Sequence, residues 1–201
     1  MVKHALATLS LVLIPVLPLL AADDPTQELR SRVDRAVQVL ADPALKGPSA
    51  AAERRARVRK IADEVFDYGE MSKRAVGVHW QQMSPADRER FSRLFSDLLD
   101  RAYFEKIDSY NGEKVQYLNA KVEGDQATVP TRVVTDKGTE IPVDYRMVRQ
   151  ADRWVVYDVT IEGVSLVSNY RSQFDRIIRT GSVAELMKRM EAQAAGQASP
   201  K

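Results

Sequence analysis

The sequence predicts an α+β fold: one curled antiparallel sheet of about four strands with helices packed against it. Three observations carry this. Helical periodicity runs through residues 24–110, four strand-like runs follow over 114–162, and helical periodicity returns over 164–192. The breaks between the strands are short and rich in turn residues, which suits hairpins and leaves no room for helical crossovers.

The chain opens with an address rather than a structural element. Lys3 and His4 are followed by Ala5–Leu20, apolar except for Thr8 and Ser10, and then by the small pair Ala21-Ala22. This is the layout of a secretory signal peptide. The run is shorter than the roughly 20 residues that span a bilayer, and Pro15 and Pro18 interrupt it. Residues 1–22 are therefore expected to be removed on export. One domain is expected over 23–192, with a disordered tail over 193–201 that is rich in Ala, Gly, Ser and Pro.

Loss of the leader removes Lys3 and leaves 29 basic against 28 acidic residues, so the exported chain is close to neutral. Near-neutrality and export argue against a nucleic-acid partner. There is no cysteine, which excludes disulfide staples, thiol nucleophiles and thiolate metal sites.

Asp24-Pro25 with Gln27 is a helix start, after which Leu29, Val33, Ala36, Val37 and Leu40 share a face until Asp42-Pro43. A second helix is expected over about 50–66, with Val58, Ile61, Ala62, Val65 and Phe66 inward. A short third covers Glu70–Val76. Ser84-Pro85-Ala86-Asp87 starts a fourth, with Phe91, Leu94, Phe95, Leu98, Ala102 and Tyr103 on its apolar stripe.

The strands are expected at Lys114–Val122, Ala127–Thr135, Glu140–Arg149 and Trp154–Ile161, the last of them half buried. Turns at Glu123-Gly124-Asp125, Asp136-Lys137-Gly138 and Gln150-Ala151-Asp152 separate them. Glu162-Gly163 ends the last strand, and Gly163 is the turn position least suited to a side chain. Val164 to Phe174 then opens an amphipathic helix that ends before Gly181. Ser182 with Glu185 is a capping box for a final short helix.

Catalytic signals are sparse. His79 is the one histidine left after export, and a lone His without further ligands is normally structural. No nucleophile elbow, P-loop or dinucleotide fingerprint occurs. Ser165 reads as a helix cap. Asp158, within a strand, is either a hydrogen-bond acceptor for nearby backbone or, paired with Tyr145 or Tyr157, the acid of an enzyme site. The basic cluster Arg54, Arg55, Arg57, Arg59 and Lys60 is either a solvated helix face or a docking surface for anionic groups.

Apolar stripes are plentiful. Phe91, Phe95 and Tyr103 line one helix, and Val167, Tyr170, Phe174 and Ile177 line another. Val143, Tyr145 and Met147 share one strand face, and Val155, Tyr157, Val159 and Ile161 share another. Periodicity cannot distinguish a filled core from a hollow one.

A specific combination of residues supplies what periodicity cannot. Trp154, Asp158, Glu162-Gly163-Val164-Ser165, Arg171 and Phe174 stand at the spacing W-x-x-x-D-x-x-x-E-G-V-S followed by R-x-x-F. This resembles the periplasmic phospholipid shuttles of the Mla pathway, also called the toluene-tolerance family. The likeness runs from about Phe66 to Met190 and includes Trp80, the helix start Ser84–Phe91, Tyr110-Asn111-Gly112 and Val129-Pro130. Residues 23–50 match only loosely.

The resemblance implies an NTF2-like domain with an added helical part, an apolar cavity for acyl tails, no enzyme activity and no cofactor or metal. It also implies a periplasmic monomer that carries phospholipid between two complexes. One is an outer-membrane lipoprotein–porin complex, the other an inner-membrane ABC transporter with a lipid-binding ring subunit. Burial of two tails is worth on the order of 20 kcal/mol at roughly 0.8 kcal/mol per CH₂, so a carrier must shield them. The expected tail contacts are Leu98, Tyr103, Tyr145, Val164, Val167, Tyr170 and Phe174. A hopanoid or other polycyclic ligand, an NTF2-like enzyme, and a solid-cored adaptor remain as alternatives.

Overall fold

The computed structural model describes residues 24–196, apart from the side chains of 104–108. The expected signal peptide lies outside the described residues, as does the end of the expected tail. Helices α1 (Pro25–Ala41), α2 (Ala51–Val65), α3 (Tyr68–Val76) and α4 (Pro85–Asp108) come first, with short 3₁₀ turns between them. Strands β1 (Lys114–Tyr117), β2 (Lys121–Glu123), β3 (Gln126–Val134), β4 (Glu140–Gln150), β5 (Arg153–Ile161) and β6 (Val164–Ser165) follow. Helices α5 (Leu166–Thr180) and α6 (Val183–Ala194) come last among the described residues. Among the described residues no helix is long and apolar enough to cross a membrane.

Side-chain caps fix several helix starts. Asp24 Oδ1 accepts the Thr26 amide at 2.9 Å, Asp67 Oδ1 that of Glu70 at 2.9 Å, and Ser182 Oγ that of Glu185 at 3.1 Å. Each satisfies a backbone donor that the first turn leaves without an intrahelical acceptor.

The strands form one open antiparallel sheet in the order β1-β3-β4-β5-β6, with β2 also pairing with β3. Among the described residues six strands replace the expected four, for two reasons. The first expected strand breaks at Leu118–Ala120 into β1 and β2, both of which pair antiparallel with β3. Val164-Ser165 pairs back onto Thr160-Ile161 instead of opening the helix. The turn between β5 and β6 is a two-residue hairpin loop in which Glu162 (φ 49°) and Gly163 (φ 82°) are both left-handed. Two positive φ values in succession define the turn that matches sheet twist. This confirms the sharp turn expected at Gly163, although no atom lies within 4 Å of a Cβ there.

β5 is buried on both faces over Trp154–Asp158, not half buried. A bulge explains why its stripe does not keep a period of two. Arg146 pairs with Asp158 but Met147 pairs with Val156, leaving Tyr157 as the extra residue. Val159 and Ile161 therefore join Trp154 and Val156 on the face that packs against α1 and α2. Tyr157 packs with the helical core of α3, α4 and α5.

The outer edge of β5 is unpaired by strands until Thr160, and helices cover it. The Trp154 amide donates to Glu28 Oε2 at 2.9 Å, and Arg32 Nη1 reaches the Trp154 carbonyl at 3.4 Å. Asp67 N donates to the Val156 carbonyl at 2.9 Å beside a parallel bridge between Phe66 and Val156. Unmet strand edges are aggregation hazards, and this one is closed from within.

The second core centres on rings. Phe91, Phe95, Tyr170 and Phe174 pack with centroids 5.2–6.0 Å apart, three of the pairs edge-to-face. Such pairs contribute roughly 0.5–1.5 kcal/mol beyond their burial. They fasten α5 to α4, and Leu186, Met187 and Met190 bring in α6.

Candidate functional site

A cavity of about 300 Å³ opens between the two cores. Ala62 of α2, Phe66 just after it, Met71 of α3, and Leu99 and Tyr103 of α4 form its helical side. Val143 and Tyr145 of β4 with Val159 and Ile161 of β5 form its sheet side, and Leu166 and Tyr68 complete the lining. The register accounts for the sheet side directly, because Tyr145 pairs with Val159 and Val143 with Ile161. The bulge matters here: without it Val159 and Ile161 would face the opposite way.

Among the described residues, Asp100 of α4 is the one charged residue lining this cavity. It is ion-paired with Arg59 of α2, which also bonds Asp63 Oδ1 at 2.9 Å and Ser96 Oγ at 2.5 Å. The pair spans α2 and α4 where the lining turns from apolar to charged. Elsewhere burial dominates. It pushes the Tyr145 and Tyr68 hydroxyls up to about 12, and those of Tyr103 and Tyr170 upward as well. The cavity therefore presents neutral phenols and hydrocarbon, a lining suited to an apolar ligand.

A model of the MlaC protein family matches residues 30–192. The chain belongs to the MlaC family. Among curated proteins, the MlaC binding protein of the intermembrane phospholipid transport system of Haemophilus influenzae is 23% identical over 126 residues. That alignment covers 60% of this chain and 59% of the relative. The toluene tolerance protein ttg2D of Pseudomonas putida is 27% identical over 128 residues, covering 62% of this chain and 60% of the relative. The chain thus spans about 60% of the length of the curated relatives it matches. A solved structure of the phospholipid-binding protein from Ralstonia solanacearum, in complex with a phospholipid, superimposes with a TM-score of 0.75 at 24% identity. It covers 86% of this chain and 98% of its own. That likeness shows the fold, a mixed helical and open-sheet architecture with which the NTF2-like expectation agrees.

Within this MlaC fold the seven expected contact residues separate. Tyr103 and Tyr145 line the cavity. Leu98, Tyr170 and Phe174 line a second cleft of about 310 Å³ between α4, α5 and α6. Val167 is buried in the helical core. Val164 lies on β6 and is 59% exposed, because the hairpin turns it outward. Ala62, Phe66, Tyr68, Met71 and Leu99 were not among the expected contacts. The apolar periodicity of α2 is the signal that pointed to Ala62 and Phe66.

Asp158 is 2% exposed and does not line the cavity. Its Oδ1 accepts the Val167 amide at 3.0 Å, its Oδ2 accepts the Ser165 hydroxyl at 2.6 Å, and Arg146 Nη1 lies 3.8 Å away. Ser165 Oγ in turn accepts the Ser168 amide at 3.0 Å, which bears out its reading as a cap. Asp158, Glu162-Gly163 and Ser165 of the family signature therefore build the β5–β6–α5 corner. His79 Nε2 lies 3.6 Å from Asp175, and no cluster of three or more metal-ligating side chains occurs among the described residues.

The basic cluster on α2 is largely occupied. Arg57 pairs with Glu53 at 2.5 Å, Arg54 donates to the Leu45 carbonyl at 2.7 Å, and Arg59 is held by carboxylates. Residues tied in this way are poorly placed to serve as a free docking surface.

Proposed function

We propose that the protein carries phospholipid across the periplasm, with the acyl tails in the cavity between α2, α4 and the sheet. The observation that supports this is the lining itself: apolar side chains from two layers, interrupted among the described residues by a charge only at Asp100. Membership in the MlaC family, and relatives whose names refer to phospholipid transport and binding, point the same way. Tyr103 and Tyr145 are the tail contacts among the residues expected from sequence.

Loading of two tails proceeds with widening of the α2–α4 seam, and the neighbouring cleft at Leu98, Tyr170 and Phe174 provides further apolar surface. Removal of residues 1–22 as a signal peptide, exchange with the outer-membrane and inner-membrane complexes, and the absence of a catalytic step all belong to this reading. The engagement of Asp158 by Ser165, Val167 and Arg146 supports the last point.

Native mass spectrometry of protein purified from the periplasm tests the proposal. Co-purified phospholipid and transfer of labelled lipid between vesicles are expected. Bare protein with no transfer would refute it.

A further inference from the structure

Outside the cavity, on the other side of the α2–α4 seam, lies a groove of about 450 Å³. Ala52 and Ala56 keep it open on the α2 side, and Arg59, Asp97, Asp100 and Arg101 flank it; Arg55 also reaches it. Asp100 lines both the groove and the cavity, so the two spaces meet at the Arg59–Asp100 pair. Two groups in the groove are poorly satisfied. Arg101 has no ion pair among the described residues, and its Nη2 is shielded from solvent without a hydrogen-bond acceptor. Asp97 is half exposed, and its contact with Arg59 Nη1, at 3.6 Å, is too long for a hydrogen bond.

We propose that this groove receives the headgroup of an amine-bearing phospholipid, with Arg101 donating to the phosphodiester and Asp97 accepting from the ammonium. The inference rests on the carrier reading above. An amphiphile in the cavity has its polar end where the lining becomes charged, and that point is Asp100. A guanidinium nitrogen shielded from solvent without an acceptor, as Arg101 Nη2 is, forfeits a hydrogen bond it can make elsewhere. Rotation of Arg101 toward an anion in the groove breaks none. The two free oxygens of a phosphodiester match its planar fork. Arg59 is already engaged by Asp63, Ser96 and Asp100, which leaves Arg101 as the better phosphate donor. The carboxylate of Asp97 disfavours a head that is purely anionic and favours one that carries an ammonium beside the phosphate.

The test uses the exported chain and vesicles containing three lipids with identical tails: phosphatidylethanolamine, phosphatidylglycerol and diacylglycerol. Lipid retained per protein is read by native mass spectrometry. The wild type is expected to retain them in that order. R101M is expected to lower retention of both phospholipids roughly tenfold relative to diacylglycerol, the loss of about one charge-assisted hydrogen bond. R101K is expected to restore part of it. D97N is expected to bring the ethanolamine-to-glycerol ratio close to one without changing diacylglycerol.

An unchanged phospholipid-to-diacylglycerol ratio in R101M overturns the proposal. So does Arg101-dependent binding of inorganic phosphate to protein loaded with diacylglycerol, where no headgroup preference is seen; that result would identify a site for a free anion. Failure to retain any of the three lipids would instead count against the carrier reading.

Discussion

The carboxylate of Asp158 accepts the backbone amide of Val167 at 3.0 Å, joining the middle of β5 to the first turn of α5. The same side chain accepts the Ser165 hydroxyl at 2.6 Å, so one buried charge fixes both the cap and the first turn of that helix. Its partners are two neutral donors and a more distant Arg146, whose side chain is half exposed. Hydrogen bonding of this kind holds a buried carboxylate without making it reactive.

D158N should therefore destabilise the fold by about 3 kcal/mol, because a charged acceptor is removed while its buried donors remain. Urea unfolding checks the magnitude. Folded D158N should retain as much lipid as the wild type, a result that separates a scaffold residue from a site residue.

The cavity should be blocked by added bulk. Leu99 of α4 and Val159 of β5 both line it, and L99W with V159F places two rings in that space. Overpacking of this sort costs about 1–3 kcal/mol in a filled core and less where a hollow receives the ring. The double variant should fold and lose at least nine-tenths of its co-purifying lipid, measured by native mass spectrometry.

The Arg59–Asp100 pair should set the rate at which lipid enters and leaves. Asp100 is mostly buried and Arg59 about one-third exposed, so the contact contributes about 1 kcal/mol after allowance for solvent screening. D100N should speed lipid exchange about fivefold in a vesicle-transfer assay. Equal exchange rates in wild type and variant would show that the seam does not open there.

Two glycines separate conformational strain from crowding. Gly77 closes α3 at φ 62°, ψ −127°, a region that side chains avoid, and a Cβ there would lie 3.1–3.3 Å from the Arg171 guanidinium. Gly163 is also left-handed but has open space around it. G77A should cost about 2–3 kcal/mol and G163A about 1 kcal/mol, both read from thermal unfolding. The contact also explains the arginine of the family signature: Arg171 lies against a backbone position where a side chain has little room.

Alkaline pH should weaken the fold through the cavity tyrosines. Burial raises Tyr145 and Tyr68 from about 10 to about 12, so the folded chain holds those protons longer than the unfolded chain does. Their contribution is complete below pH ~10 and is lost as pH rises toward about 12. Y145F should flatten that decline in urea midpoints, and tyrosinate absorbance should show a late-ionising fraction in the wild type.

Much of this was legible in the chain. Caps at Asp24, Ser165 and Ser182 marked helix starts, and turn residues placed the main hairpins, because both signals are local. The lining of the cavity was legible only in part. Leu98 and Leu99 differ by one residue, about 100° on a helix, yet one faces the α5–α6 cleft and the other the cavity. The stripe on α4 is broad because it packs on two partners, and a sequence cannot say which partner lies on which side. The bulge at Tyr157 was equally hidden. It arises from pairing with β4, and it reverses which residues of β5 face inward.

The two walls of the cavity differ in stiffness. The sheet wall is held by continuous ladders of backbone hydrogen bonds among β3, β4 and β5. The helices around it meet β5 through scattered contacts, among them the bridge at Phe66, the Asp67 amide, the side chains of Glu28 and Arg32 on α1, and the Val167 amide held by Asp158. A vessel built in this way deforms on its compliant side and keeps its shape on the other. Repeated filling and emptying can then proceed by small rigid displacements of helices, with the ladder serving as a fixed reference that needs no repair between cycles.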